Sequence, residues 1–182
     1  IKIFRELGLE IKIGVIYGDN IFPDINNLIK QGVSFDNMDT GESFSLISDK
    51  IYSANVYINS MPIADALDNG AQIVLSGRVS DPGLALGPCI FEFDWKESDY
   101  NKMAAGTLAG HITECGAQCT GGNFTGWRIV PDLANIGYPI IEMKEDGIFN
   151  ITKHPNTGGL INKETISEQI LYEMGNPEKY IS

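Results

Sequence analysis

Ala71–Ser76 (AQIVLS) runs Ile73, Val74 and Leu75 together with no alternation of apolar and polar residues. A short apolar run bounded by turn signals reads as a strand covered on both faces, the kind that parallel sheets contain. It opens after Asn69-Gly70 and empties into Gly77-Arg78-Val79-Ser80-Asp81-Pro82, with a helix expected from there through Leu86. The same grammar appears earlier, where a strand over Ile11–Tyr17 meets the turn Gly18-Asp19-Asn20 and a helix near Asp24–Gln31. Strand, polar turn and helix in succession argue for an α/β fold. The expected architecture is a mostly parallel sheet flanked by helices, with Gly-rich loops at the carboxyl ends of the strands.

The remaining text fits this pattern. Gly32–Asp49 lacks periodicity and reads as a loop. Tyr52–Ile58 is rich in β-formers, although Asn55 interrupts it, and Met61–Leu67 reads as a helix with Pro62 in its first turn. A long helix fits Tyr100–Glu114. Turn residues dominate from Cys115 to Pro139, and Phe149–Thr152 suits a strand. A last helix, Lys163–Met174, takes Asn162 as its N-cap. Ile166, Ile170, Leu171 and Met174 give it an apolar stripe, and Gly175-Asn176-Pro177 stops it. A length of 182 residues suits a single α/β domain over 1–182, or the central part of a longer one. Ile1–Leu9 reads as the tail of a helix with no capping sequence ahead of it, so the chain is expected to be a fragment lacking an N-terminal segment.

Charge narrows the partners. Twenty-four acidic side chains against 13 basic ones leave a net charge of −11. Nucleic acid is an unsuitable partner, because phosphate neutralisation needs clustered basic residues, and Arg5, Arg78 and Arg128 stand apart. No apolar run approaches the ~20 residues of a membrane span. Cys89, Cys115 and Cys119 are too few, and odd in number, for a secreted disulfide framework. A soluble, cytoplasmic protein is the expectation.

Ligands of open α/β sheets sit beyond the carboxyl ends of strands, which directs attention to Gly77-Arg78-Val79-Ser80-Asp81. Arg78 could hold a carboxylate or phosphate through two parallel hydrogen bonds, or could pair with Asp81 merely to order the turn. Asp81 before Pro82 matches N-cap and N1 of a helix, which competes with a ligand role. Gly77 permits a tight turn. In the next helix His111 and Glu114 stand three apart and His111 and Cys115 four apart, neighbours on one face. Two ligands do not make a metal site, so no metal is assigned. Acid–base work fits better: Glu114 lies where the helix dipole disfavours an anion and raises a carboxyl pKa. The alternative is a solvated Glu114 and a His111 bonded within the core. Gly106 and Gly110 in the same helix suggest close approach by another element.

Two Thr-Gly-Gly tripeptides, Thr120-Gly121-Gly122 and Thr157-Gly158-Gly159, offer successive amides of the kind that form anion nests. The second precedes the last helix, with Lys153 and His154 upstream, and could cradle a phosphate; turn chemistry is the stronger competing reading. Neither a P-loop nor a dinucleotide fingerprint is present. Cys115 and Cys119 lack an electropositive setting and read as inert.

Three segments, GAQIVLSGRVSDPGLALGP (Gly70–Pro88), MAAGTLAGHITECGAQCTGGNF (Met103–Phe124) and KHPNTGGLINKETISEQILYEM (Lys153–Met174), together resemble the acyclic terpene utilisation (AtuA) family. The likeness is densest from Tyr52 to Tyr180. It implies a place in catabolism of citronellol- and geraniol-like compounds, whose acids are processed as coenzyme A thioesters, alongside biotin-dependent acyl-CoA carboxylase components. The positions it carries over are Gly77, Arg78 and Asp81; His111, Glu114 and Cys115; Thr120 to Gly122; and Lys153 with Thr157 to Gly159. The resulting expectation is an enzyme acting on a branched acyl-CoA or related carboxylic acid as hydratase, lyase or isomerase. In it Glu114 and His111 move the proton, Arg78 binds an anionic group and the Thr157–Gly159 nest takes phosphate. No cofactor is assigned; a coenzyme A thioester is the expected substrate, and carboxylase components or further copies of the chain are the expected protein partners. A non-catalytic accessory subunit and a metal-dependent hydrolase or lyase are the alternatives.

Overall fold

Strands β1 (Ile13–Ile16) and β2 (Ile73–Ser76) pair in parallel, Ile13 with Ile73 and Ile16 with Ser76, so both chains leave the sheet at the same end. The computed structural model describes residues 2–175; Ile1, the stop signal at Asn176-Pro177, and Tyr180 lie outside them. Among the described residues the architecture is α/β, with six helices and two two-stranded sheets. The mostly parallel sheet expected from the sequence is therefore present as one parallel pair. The second sheet is an antiparallel hairpin of β3 (Pro139–Met143) and β4 (Phe149–Lys153). Only β4 had a strand signal. Its partner opens with a proline, which a strand tolerates at its first position.

Two further expectations change. Val15 and Leu75 are cross-strand partners and remain 48% and 54% exposed, so β2 is covered on one face only. Tyr52–Ile58 forms no ladder. Its residues are divided between neighbours, Asn55 bridging to Asn20 and Ile58 to Val79, so it spans the carboxyl ends of both strands instead of extending the sheet.

The core lies among α3 (Met61–Asp68), α4 (Gly83–Phe93) and α5 (Tyr100–Thr113), where Ala64, Leu86, Ile90 and Trp95 cluster. Trp95 donates its indole N–H to the Glu145 carbonyl at 2.9 Å, which ties the β3–β4 hairpin to that core. Helix α4 runs past Leu86 to Phe93 despite Pro88; the carbonyl that Pro88 cannot serve belongs to Leu84, an exposed residue. Close approach explains the small residues of α5. A Cβ on Gly106 would stand 2.6 Å from Leu86 Cδ1, and one on Gly110 would enter the backbone of Pro82.

The outlying helices are α1 (Lys2–Glu6), α2 (Ile25–Lys30) and α6 (Lys163–Leu171). Asn162 caps α6 as expected: its side chain accepts from Thr165 N–H, and Thr165 Oγ1 accepts from Asn162 N–H. The buried face of α6 differs from the apolar stripe. Thr165 and Gln169 are fully buried, Leu171 is exposed and Met174 lies beyond the helix. On that inward polar face Thr165 Oγ1 donates to the Leu160 and Asn162 carbonyls, and Gln169 Nε2 donates to the His111 carbonyl of α5.

Candidate functional site

The carboxyl ends of β1 and β2 bring Asp19 beside Gly77 and Arg78. A Cβ on Gly77 would overlap the Asp19 carboxylate, so glycine is required by this close approach. The Asp19 carboxylate accepts Asn55 Nδ2–H at 2.7 Å. The Arg78 backbone N–H, with Asn55 next, holds its pKa below the ordinary carboxylate value. Asp19 was not singled out in the sequence, although it stands after β1 as Arg78 stands after β2. The Arg78 guanidinium is half exposed, 4.0 Å from Asp81 and 5.7 Å from the centre of the Tyr57 ring. Both contacts are loose and leave most of its five donors unused. Asp81 does not cap α4 with its side chain: the helix starts at Gly83 after Pro82, and Asp81 contributes only its carbonyl, to Leu84 N–H.

Gly110 seats the last turn of α5 on Pro82, next to that loop. One and four residues on, helical geometry brings His111 and Glu114 together as the spacing predicts, with Nδ1 and Oε1 2.9 Å apart. Both side chains are at least nine-tenths buried. Burial raises the Glu114 pKa above the usual carboxyl value; His111 opposes this, while the carboxylates of Asp81 and Glu173 add to it. Asp81 thus links the Arg78 loop electrostatically to the buried pair.

Gln169 of α6 completes the neighbourhood. It is 1% exposed, and its Nε2 donates to the His111 carbonyl at 2.9 Å. Three buried polar atoms have no hydrogen-bond partner among the described residues, and they are His111 Nε2, Glu114 Oε2 and Gln169 Oε1. Such atoms are rare in folded proteins and cost about 1–3 kcal/mol each. Gln169 escaped the sequence reading, though a signal existed: it sits three residues after Ile166, a polar residue inside the stripe.

The family model for the acyclic terpene utilisation family protein AtuA matches residues 1–182. The chain belongs to that family. No curated protein and no solved structure matches it. In this AtuA chain the segments Gly70–Pro88, Met103–Phe124 and Lys153–Met174 meet at one place, the carboxyl end of α5, which Pro82 touches from one side and Gln169 from another.

The Thr-Gly-Gly tripeptides do different work from the expected anion nests. Thr120 Oγ1 donates to the Gly137 carbonyl at 2.6 Å, and the amides of Gly121 and Gly122 go to Gln118 and Ala117 carbonyls. The amides of Gly158 and Gly159 go to the Asn135 and Pro131 carbonyls, and Leu160 N–H to that of Thr120. Lys153 Nζ donates to the Thr157 carbonyl at 2.9 Å and reaches Thr157 Oγ1 at 3.3 Å. The two tripeptides join each other and spend their glycine amides on carbonyls of the chain.

The AtuA cysteines are free, and burial raises the pKa of each, that of Cys119 to about 11. Among the described residues no three His, Cys, Asp or Glu side chains are grouped to hold a metal, and no helix is long and apolar enough to cross a membrane. A hollow of about 510 Å³ flanks α6 and is lined by Gln169, Tyr172 and Gln118 among others. Another of about 700 Å³ lies at the amino ends of the strands, by Phe4 and Lys12, away from the pair.

Proposed function

We propose that this AtuA chain is an enzyme of branched acyl-CoA or terpenoid-acid breakdown that works by acid–base chemistry, as a hydratase, lyase or isomerase. One observation carries the reading: a buried His111–Glu114 pair keeps its outer atoms unpartnered beside the loop that presents Arg78. Burial raises the Glu114 carboxyl pKa, the direction in which a carboxyl becomes a better proton carrier, and the imidazole orients it. In a hydration the pair takes a proton from water, whose oxygen adds to the β-carbon of an enoyl thioester, and a proton returns to the α-carbon. Arg78 holds the anionic part of the substrate through its unused donors. The reaction is cytoplasmic, with acyl-CoA carboxylase components as neighbours in the pathway.

The test is turnover of a panel of acyl-CoA thioesters by the full-length protein. Glu114→Gln, with the fold intact, is expected to lower turnover by about 10²–10⁴; unchanged turnover sinks the assignment. A second reading, a non-catalytic subunit docked on a carboxylase, is favoured by the exposed cross-strand pair Val15 and Leu75. Stoichiometric co-purification with the carboxylase, and no thioester consumed by the free protein, would select it.

A further inference from the structure

Helix α4 buries Gly83, Leu86, Gly87 and Ile90, and it leaves Leu84, Pro88 and Phe91 facing outward. These three stand at i, i+4 and i+7, which on a helix is one stripe. Leu84 is 63% exposed and Phe91 43%. The single charged residue of α4 is Glu92, so the stripe has the apolar character of a packed face while lying open among the described residues.

At the carboxyl end of α4 the stripe runs into a hollow of about 390 Å³, where Met61, Phe91 and Trp95 supply apolar lining. Asp65, Asp68, Asp94 and Glu97 add four exposed carboxylates. Lys96 is the one cation lining the hollow among the described residues, and its Nζ is held by Asp94 at 2.5 Å. Asp65, Asp68 and Glu97 have no salt-bridge partner among the described residues. Helix α3 ends at Asp68 and Asp94 caps α4, so two helix carboxyl ends, each with its negative partial charge, meet at this place.

Charge selects the occupant. Nucleic acid and an anionic membrane surface are repelled by these carboxylates. The 182 residues of a second copy bring a net charge of −11 to an acidic face, which like-charge repulsion opposes. A helix with its own apolar ridge packs into the groove beside the α4 stripe. Lysines or arginines at helical spacing on its flank then meet Asp65 and Asp68, which stand three apart on α3. We infer that the α4 stripe and its acidic hollow are the docking site for a basic amphipathic helix of a partner polypeptide. The site is independent of the His111–Glu114 chemistry and exists whether the chain is an enzyme or an accessory subunit.

The test titrates the full-length protein, by calorimetry, with two synthetic peptides of about 18 residues, long enough to form a helix. Both carry the same apolar stripe; one is flanked by lysines and the other by glutamates. The lysine peptide is expected to bind about tenfold or more tightly than its glutamate counterpart. Leu84→Ser and Phe91→Ser, at opposite ends of the stripe, are each expected to weaken it by about tenfold. Asp65→Asn combined with Asp68→Asn is expected to weaken it by roughly three- to tenfold. Neutralising two exposed carboxylates elsewhere, Asp49→Asn with Glu142→Gln, is expected to leave its affinity unchanged, which separates this site from the general negative charge of the protein. Absence of binding, equal affinity for the two peptides, equal loss from the two neutralised pairs, or affinity unchanged in both serine variants overturns the proposal. So does self-association of the protein alone that Leu84→Ser abolishes, since a second copy then covers the stripe.

Discussion

Thr120 and His111 are both buried polar residues and close in the chain, yet their surroundings treat polarity in opposite ways. Around Thr120 the books balance: hydroxyl, glycine amides and facing carbonyls are matched within the joint between residues 117–122 and 157–160. Around His111 an imidazole nitrogen, a carboxylate oxygen and an amide oxygen are left over. A matched set stabilises, and the joint needs no further explanation. An unmatched set costs stability, and folding alone offers no reason to bear that cost. The contrast separates two motifs that look equally polar in one dimension.

The largest expected effect is on the matched side. Gly158→Ala pushes a methyl group into the Asp132 carbonyl, and urea denaturation should show a loss of about 2–3 kcal/mol, as overpacking of a fixed backbone produces. A loss near zero would mean that the joint is looser than its hydrogen bonds imply.

On the unmatched side the effect depends on pH. Because the folded protein raises the Glu114 pKa, the folded state binds the proton more tightly than the unfolded chain. This contribution is complete below the ordinary carboxyl pKa and is lost as pH rises through the raised value. Glu114→Gln mimics the protonated acid. Its denaturation free energy should match the parent at low pH and exceed it increasingly as pH rises through that window. A gap that closes with rising pH would reverse the assigned sign.

The smallest effect is expected at the rim. Arg78→Ala removes a half-exposed guanidinium whose nearest carboxylate is 4.0 Å away, so stability should move by less than about 0.5 kcal/mol. Binding of anionic thioesters should weaken all the same. A large drop in stability would make Arg78 part of the matched, structural class.

Local patterns carried a good part of this. The strand at Ile73–Ser76, the helix from Tyr100, the Asn162 cap and the i, i+3 pairing of His111 with Glu114 depend on neighbours within one turn or one strand, so they were legible. The partner strand Pro139–Met143 was not, because a hairpin strand is defined by what lies across from it. Nor was the fate of Tyr52–Ile58, whose β-forming residues meet two different neighbours and complete a ladder with neither. The Thr-Gly-Gly tripeptides were legible as turns, while their mutual docking was hidden.

What residue order alone settled was the identity and spacing of the groups that can exchange a proton, since 3.6 residues per turn place His111 against Glu114 in any helix they share. Which of their atoms stay unmatched, and that Gln169 joins them across 58 positions of chain, came only from packing. Hydrogen-bond satisfaction belongs to the whole molecule: whether a buried oxygen has a partner depends on segments that meet in space, and the chain records no such meeting in its local pattern.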